Sequence, residues 1–353
     1  RKEASERPWD PTLPILRDSS KCIKCLRCVS VCERVQSLGV WEVTGSGAHT
    51  TVRIRGGLRM NEANCALCGQ CVAHCPVGAL RERDDTEAVF AALADPTKEV
   101  VFQIAPAVRA AWGEILGLSP EQATERRLAA AVRALGVRHV FDTTFSADLT
   151  IMEEATEFLR RVQSGGTLPL ITSCCPGWVK YCETFHPDFI PNLSTCKSPQ
   201  QMFGAMAKSY YAEKMGLRPE DIFVVSVMPC TAKKFEITRE GECGAGAGIP
   251  DVDVALTTRE LGQMIQRAGL LFAELPEEEK KADYFLTFLA DELSVEKTDI
   301  LDFELTVYCK ENPEFIGLND DFISSPRLDN LTSCAALISG LMDARRMEGI
   351  NLI

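Results

Sequence analysis

From about residue 95 the chain alternates short apolar, β-branched runs with longer segments of helical periodicity. The runs at 98–104, 137–144, 168–172, 222–228 and 252–256 predict strands. Between them, 106–117 opens on a proline and 122–135 is rich in Ala, Leu and Arg. These two, with 151–162 and 198–216, predict helices. Strands alternating with helices predict an α/β domain with a mainly parallel sheet, covered on both faces. In such sheets ligands bind just beyond the strand carboxyl ends. No apolar run reaches the ~18 residues of a membrane helix, and residues 1–10 have no apolar signal core. The first residue is Arg1, not Met, which predicts a longer parent chain.

Ahead of residue 90 cysteine sets the rhythm instead. Residues 22–32 read CIKCLRCVSVC and residues 65–76 read CALCGQCVAHCP. Both are C-x2-C-x2-C-x3-C. Three thiolates at this spacing wrap one iron–sulfur cube, and the fourth reaches the neighbouring cube. This assigns Cys22, Cys25, Cys28 and Cys75 to one 4Fe-4S cluster, and Cys65, Cys68, Cys71 and Cys32 to another. Glu33 follows the first array where proline is usual. Structural zinc and disulfides are the competing readings. Zinc favours two pairs separated by a longer spacer over four ligands in eleven residues. Residues 64–80 resemble the end of a bacterial two-cluster ferredoxin domain, which relays single electrons.

Composition narrows the classes. Of 353 residues 46% are hydrophobic and 25% charged, as in ordinary globular proteins. The net charge of −12 disfavours nucleic acid and suits a partner with a basic docking face. Sixteen cysteines, half of them in two arrays, point to a reducing cytoplasm, that of an anaerobe. The histidines His49, His139 and His186 lack ligand spacing and read as structural or surface residues, whereas His74, inside the second array, reads as tuning the neighbouring cube. Cys182, Cys196 and Cys243 match no ligand motif and read as packing or surface residues.

After two of the middle runs come residues 172–178 (TSCCPGW) and 228–236 (MPCTAKKFE). A vicinal cysteine pair and a third cysteine at strand ends favour a metal or redox site over packing. These segments resemble two signatures of the iron-only (FeFe) hydrogenases. Residues 197–201 (KSPQQ) and 151–157 (IMEEATE) also match family stretches, so the resemblance spans about residues 20–278. It implies a ferredoxin-like domain at 1–90 and the N-terminal part of a hydrogenase domain at 91–280, apparently truncated. It implies reversible reduction of protons to H2, with electrons from ferredoxin or a partner subunit. Its cofactor is the H-cluster, a 4Fe-4S cube joined to a di-iron unit carrying CO, cyanide and a dithiolate amine. By resemblance Cys175 and Cys230 hold the cube, Cys174 passes protons and Lys233 donates to a cyanide. Met228, Pro199 and Gln200 line the cavity, and Glu154, Glu157 and Ser194 complete a proton relay with Cys174. Without the resemblance, Glu153, Glu154 and Glu157 read as a solvated helix face.

The family's third signature, a glycine-rich C-x3-C segment, is not found. Beyond residue 243 only Cys309 and Cys334 remain. This leaves the H-cluster short of two ligands and supports an alternative, a non-catalytic 4Fe-4S electron-transfer protein. Residues 288–293, 299–305 and 317–331 resemble a stretch of the aspartyl aminopeptidases instead. That resemblance implies a metal-bridging role at Asp329 and a weak zinc-peptidase alternative. The tail at 281–353 contains no histidine, so the ligand count of such an enzyme is not reached. Truncating an α/β domain here would expose apolar surface.

Overall fold

A computed structural model describes residues 9–270, except 240, 242, 243, 245 and 247, together with two short tail strands. Four strands build two ribbons in the N-terminal part. Strand β1 (Ile15–Arg17) pairs antiparallel with β4 (Leu80–Glu82), and β2 (Trp41–Thr44) with β3 (Thr51–Ile54). Their inward residues Ile15, Trp41, Val52, Ile54 and Leu80 form a core shared with Cys32, Cys65 and Cys71.

The second part is a four-stranded sheet. Strands β5 (Glu99–Ile104), β6 (His139–Asp142), β7 (Ile222–Met228) and β8 (Val254–Thr257) lie in the order β6-β5-β7-β8, all parallel. The two central strands are covered on both faces, which is why β5 and β7 are nearly continuous apolar runs. Phe102, Val225, Val227, Leu256, Leu261 and Met264 belong to one buried cluster. Two polar residues interrupt these strands for a reason. Gln103 donates to Gln200 O at 2.9 Å and accepts from Thr143 Oγ1 at 3.2 Å, and Ser226 donates to the Gln200 amide oxygen. Both strands are thereby tied to the helix Pro199–Met206. Two remaining strands, Glu314–Ile316 and Phe322–Ser324, pair antiparallel in the tail.

The helices depart from expectation mainly in length. The segment expected at 151–162 is one helix, Thr144–Ser164, ended by Gly165 at φ 70°. Helices Pro106–Ile115 and Glu125–Ala134 fill the next two expected spans, the latter capped by Thr124. The span 198–216 runs through a π-turn at Ala207–Tyr211. Among the described residues no helix is long and apolar enough to cross a membrane.

The run 168–172 forms no strand, against expectation. Pro169 has no N–H to give a ladder, and Ile171 makes only a single parallel bridge, to Leu193. The segment is bound to the 192–194 stretch: Ile171 N donates to Asn192 O at 2.8 Å and Ser194 N to Ile171 O at 2.7 Å. Cys174 and Cys175 therefore stand in a loop before the helix Pro176–Phe185 rather than beyond a sheet strand. The expectations at Cys243, Cys309, Cys334 and Asp329 lie outside the described residues.

The two parts are joined by buried polar contacts. Thr231 Oγ1 donates to Leu67 O at 2.7 Å. Lys234, 1% exposed, pairs with Asp85 at 2.7 Å and Glu260 at 2.9 Å and donates to Ala255 O at 2.7 Å. Asp85 leads out of β4 and Glu260 belongs to the helix Thr258–Arg267, where it closes a capping box with Thr257. Three acceptors are what a buried ammonium, with its three donors, requires.

Candidate cluster and hydrogenase-type site

The eight array cysteines ring two cavities. Cys22, Cys25, Cys28 and Cys75 line one of about 420 Å³, walled by Ile23, Leu26 and Val52, with Arg17 and His74 at its sides. Cys32, Cys65, Cys68 and Cys71 line a second of about 280 Å³. Trp41 lines both and is the partition between them. The loops between cysteines turn back through left-handed residues, at Lys24, Leu26, Leu67 and Gly69. For Lys and Leu that conformation costs energy, and here it directs successive thiols inwards.

The donor chemistry suits iron–sulfur cubes. Backbone N–H groups donate to the sulfurs: Val40 N to Cys32 at 3.3 Å, Leu67 N to Cys65 at 3.4 Å and Leu80 N to Cys75 at 3.4 Å. Burial, with repulsion among neighbouring thiols, pushes Cys28 and Cys65 to about 11 and Cys71 higher still. Thiols in such a setting stay protonated until a cation replaces the proton. They ring the cavities rather than converging on one point. Among the described residues no three His, Cys, Asp or Glu are close enough to share a single ion. A four-iron cube, with one thiolate per iron, spreads its ligands in this way. Next to Cys75, His74 Nδ1 lies 2.8 Å from Gln70 O, which fixes the ring against the first cavity.

A third cysteine group lies beyond the second cavity. Cys230 follows β7, and its sulfur accepts from Ala232 N at 3.3 Å. Burial first, then the neighbouring Cys175, pushes its thiol up. Burial first, and in smaller part the nearby Cys175, pushes the Cys68 thiol of the second cavity up. Lys233 donates to Cys174 O at 2.8 Å and pairs with Glu236 at 2.9 Å. Gln200 donates to Glu236 Oε2 at 2.8 Å and to Lys233 O at 3.3 Å. Met228, Gln200, Cys174, Cys175, Cys230 and Lys233 thus gather at the end of β7, with Pro199 opening the adjoining helix. Of thiols that could hold a cube, the described residues supply Cys175 and Cys230, half of a four-thiolate set.

The acidic residues follow one helix face. Glu154 and Glu157 are both half-buried on Thr144–Ser164, whereas Glu153 is exposed. Ser194 Oγ donates to Glu157 Oε2 at 2.9 Å and Thr195 N to the same oxygen at 3.0 Å. Arg161 pairs with Oε1 at 2.5 Å. Glu154 lies near both Cys174 and Cys196 and raises both thiols. The surrounding protein pushes Cys174 up, Lys233 pulls against it, and Cys174 holds its proton. Cys182 is fully buried and donates to His186 O at 3.4 Å, a packing role.

Sequence reasoning missed Arg161 and Trp41. Arg161 stands four residues after Glu157, a helical pairing that could have been read; nothing local marks Trp41. Burial raises the pKa of Glu157, but Arg161, Thr195 N and Ser194 outweigh it and hold the group below its ordinary 4.5. Its stabilising share is full above that value and fades as pH falls through the lowered one. Arg161→Leu should bring the Glu157 titration back upward. It should also flatten the loss of stability between about pH 5 and pH 3, the range in which a lowered carboxylate takes up its proton. Carboxylate infrared titration and urea midpoints across that range check this, and unchanged curves would count against it.

Three family models match. Residues 98–287 match the C-terminal domain of the iron-only hydrogenase large subunit, and 21–79 a 4Fe-4S dicluster domain. Residues 253–351 match the aminopeptidase I zinc metalloprotease (M18) model, overlapping the first. In the structure the described start of that overlap, β8 and its helix, completes the parallel sheet. The chain is 49% identical over 283 residues to the NADP-reducing hydrogenase subunit HndD of Solidesulfovibrio fructosivorans, covering 78% of this chain and 48% of that protein. It is 41% identical over 278 residues to iron hydrogenase 1 of Clostridium pasteurianum, covering 79% and 48%. It is also 30% identical over 276 residues to cytosolic iron-sulfur assembly component 3 of Bos taurus, covering 73% and 57%. An apo FeFe-hydrogenase structure from Chlamydomonas reinhardtii superposes with a TM-score of 0.52 at 48% identity, over 56% of this chain and 50% of that one. The chain spans about half the length of the curated relatives it matches.

Proposed function

Because the chain belongs to the iron-only hydrogenase large-subunit family, we propose that it works in the reversible reduction of protons to H2, passing electrons through two 4Fe-4S centres towards the Cys175 and Cys230 site. The observation that carries this reading is the contact between the two parts. The Cys230 turn rests on the second array through the Thr231–Leu67 bond, and Ala232 packs in the same core as Cys65 and Cys71. Electron donors and the proton-handling residues thereby meet at one place.

Cys175 and Cys230 would hold part of the H-cluster, whose iron supplies the proton-reducing chemistry when bound. The chain's own residues move the proton. Cys174 Sγ holds it beside Lys233, and Glu154 stands next to that thiol. Glu157, kept anionic by Arg161, accepts from Ser194 at the far end. A proton passes by the thiol giving up its hydrogen to a carboxylate as the hydroxyl of Ser194 reorients. Lys233 sets the positive field over the Cys174 loop, which suits an anionic group.

A second reading, a non-catalytic electron-transfer or assembly protein, is favoured by similarity to a protein named for cytosolic iron–sulfur assembly, and among the described residues only Cys175 and Cys230 stand as cube ligands at the third cysteine group. The test is anaerobic expression, loading with a synthetic di-iron precursor, and infrared spectroscopy of iron-bound CO and cyanide. Bands accompanied by H2 evolution from a reduced dye are expected. About eight irons per chain without such bands would overturn catalysis and leave the second reading.

A further inference from the structure

The two cluster cavities differ in burial. Cys32, Cys65 and Cys71 of the inner one, next to the Cys230 turn, are buried. Cys22, Cys28 and Cys75 of the outer one are half-buried and Cys25 is exposed. Reducing a cube adds one negative charge, and burial penalises that charge. Burial taken alone therefore makes the inner centre the harder one to reduce, and an electron arriving at the outer centre would stay there.

Two side chains oppose that penalty. Trp41, 1% exposed, gives its indole N–H to the Cys71 sulfur. Its ring is held in place. Trp9 stacks on it with centroids 6.2 Å apart, and the Trp9 indole is itself anchored on Ile15 O at 2.8 Å. A hydrogen bond to a cluster sulfur strengthens as the cube takes up charge, so it favours the reduced form. Lys180 is the second. It stands on the helix Pro176–Phe185, three residues after Gly177 and so on the same face. A Cβ at Gly177 would lie 3.4 Å from Ala66 O, the carbonyl next to Cys65. The Lys180 ammonium is 5.1 Å from the centre of the Phe235 ring, and that ring packs against the core that holds Cys65 and Cys71. Burial pushes the Cys65 thiol up, while the Leu67 N–H and the Lys180 charge pull against it.

We propose that Trp41 and Lys180 set the potential of the inner centre, raising it far enough for that centre to draw electrons from the outer one. In the step itself the outer centre loses one electron and the inner gains it, with no bond made or broken. The inference rests on the electron-relay part of the proposed function and not on H2 chemistry. It is tested by redox titration of the full chain, loaded with both array cubes and followed by EPR; the inner wave is the one that Cys71→Ala removes. In the wild type the inner centre should titrate no lower than the outer. Lys180→Met and Trp41→Phe should each make the inner centre about tenfold harder to reduce, ~59 mV for one electron. The outer wave should stay in place in Lys180→Met and move less than the inner in Trp41→Phe. Lys180→Arg keeps the charge and should keep the wild-type inner potential. Methionine keeps most of the lysine stem, so a packing role alone would leave the inner wave unmoved. An inner wave unmoved by Lys180→Met, inner and outer waves that fall together, or a wild-type inner centre below the outer would overturn the proposal. The two Lys180 variants carry the test even where Trp41→Phe does not fold. A chain holding fewer than two reducible centres would overturn the relay reading itself, and this proposal with it.

Discussion

Cys71→Ala should remove about four of the roughly eight irons held by the two arrays, because each array's cube needs four thiolates. Cys71 is buried, lines the second cavity and takes the indole N–H of Trp41. Nothing else described in that cavity offers a fourth thiolate. Alanine leaves Cys32, Cys65 and Cys68 facing an apolar space, and their protons then stay in place of a cation. The first cavity keeps its own four cysteines, so one reduced cube signal should remain by EPR. Cys25→Ala should leave the complementary signal. Electron delivery to the Cys230 side should cease in the Cys71 variant even though half the iron persists. Retention of all the iron after Cys71→Ala would mean that the quartets are drawn wrongly.

Lys234→Met should be the most destabilising single change in the interface between the two parts, by about 3–5 kcal/mol, the usual cost of stranding a buried charge. Lys234 and Glu260 are both 1% exposed, and Asp85 completes the triad. Methionine fills the volume but leaves two carboxylates facing each other. Burial already holds Glu260 above its ordinary 4.5, with Lys234 pulling it back down. Removing the lysine lifts it further. A carboxyl raised in the folded state is neutral below its unfolded value and costs stability as pH climbs through the folded one. The deficit of the variant should therefore be full near neutral pH and shrink as pH falls towards 4.5. Adding Glu260→Gln and Asp85→Asn should recover much of the loss. Urea midpoints over that range measure it; a pH-independent deficit would point to packing instead.

What the sequence reveals here depends on how local each device is. Both cysteine arrays are written within eleven residues, and the exchange of Cys32 and Cys75 between cavities follows from the same spacing. The central strands were legible because both faces are buried and the runs are nearly unbroken. The segment 168–172 was misread because its apolar pattern fits a strand while Pro169 and the 192–194 stretch give it different partners. The Glu154 and Glu157 face looks solvated in sequence, since what covers it is Ser194 to Cys196, forty residues away. Trp41 stands between two cavities built from residues on either side of it in the chain, and no periodicity reports that.

Gly69 has φ +77°, and a Cβ built there would stand 2.6 Å from Thr231 Oγ1. Thr231 is one residue past Cys230, and Gly69 is one past Cys68. The two halves are thus keyed to each other at a point where no side chain other than hydrogen fits. A relay unit borrowed from another protein would bring its iron but not that keyhole. Modular replacement of the N-terminal unit, attractive to anyone wiring this chain to a foreign donor, must carry the glycine and the threonine as a matched pair.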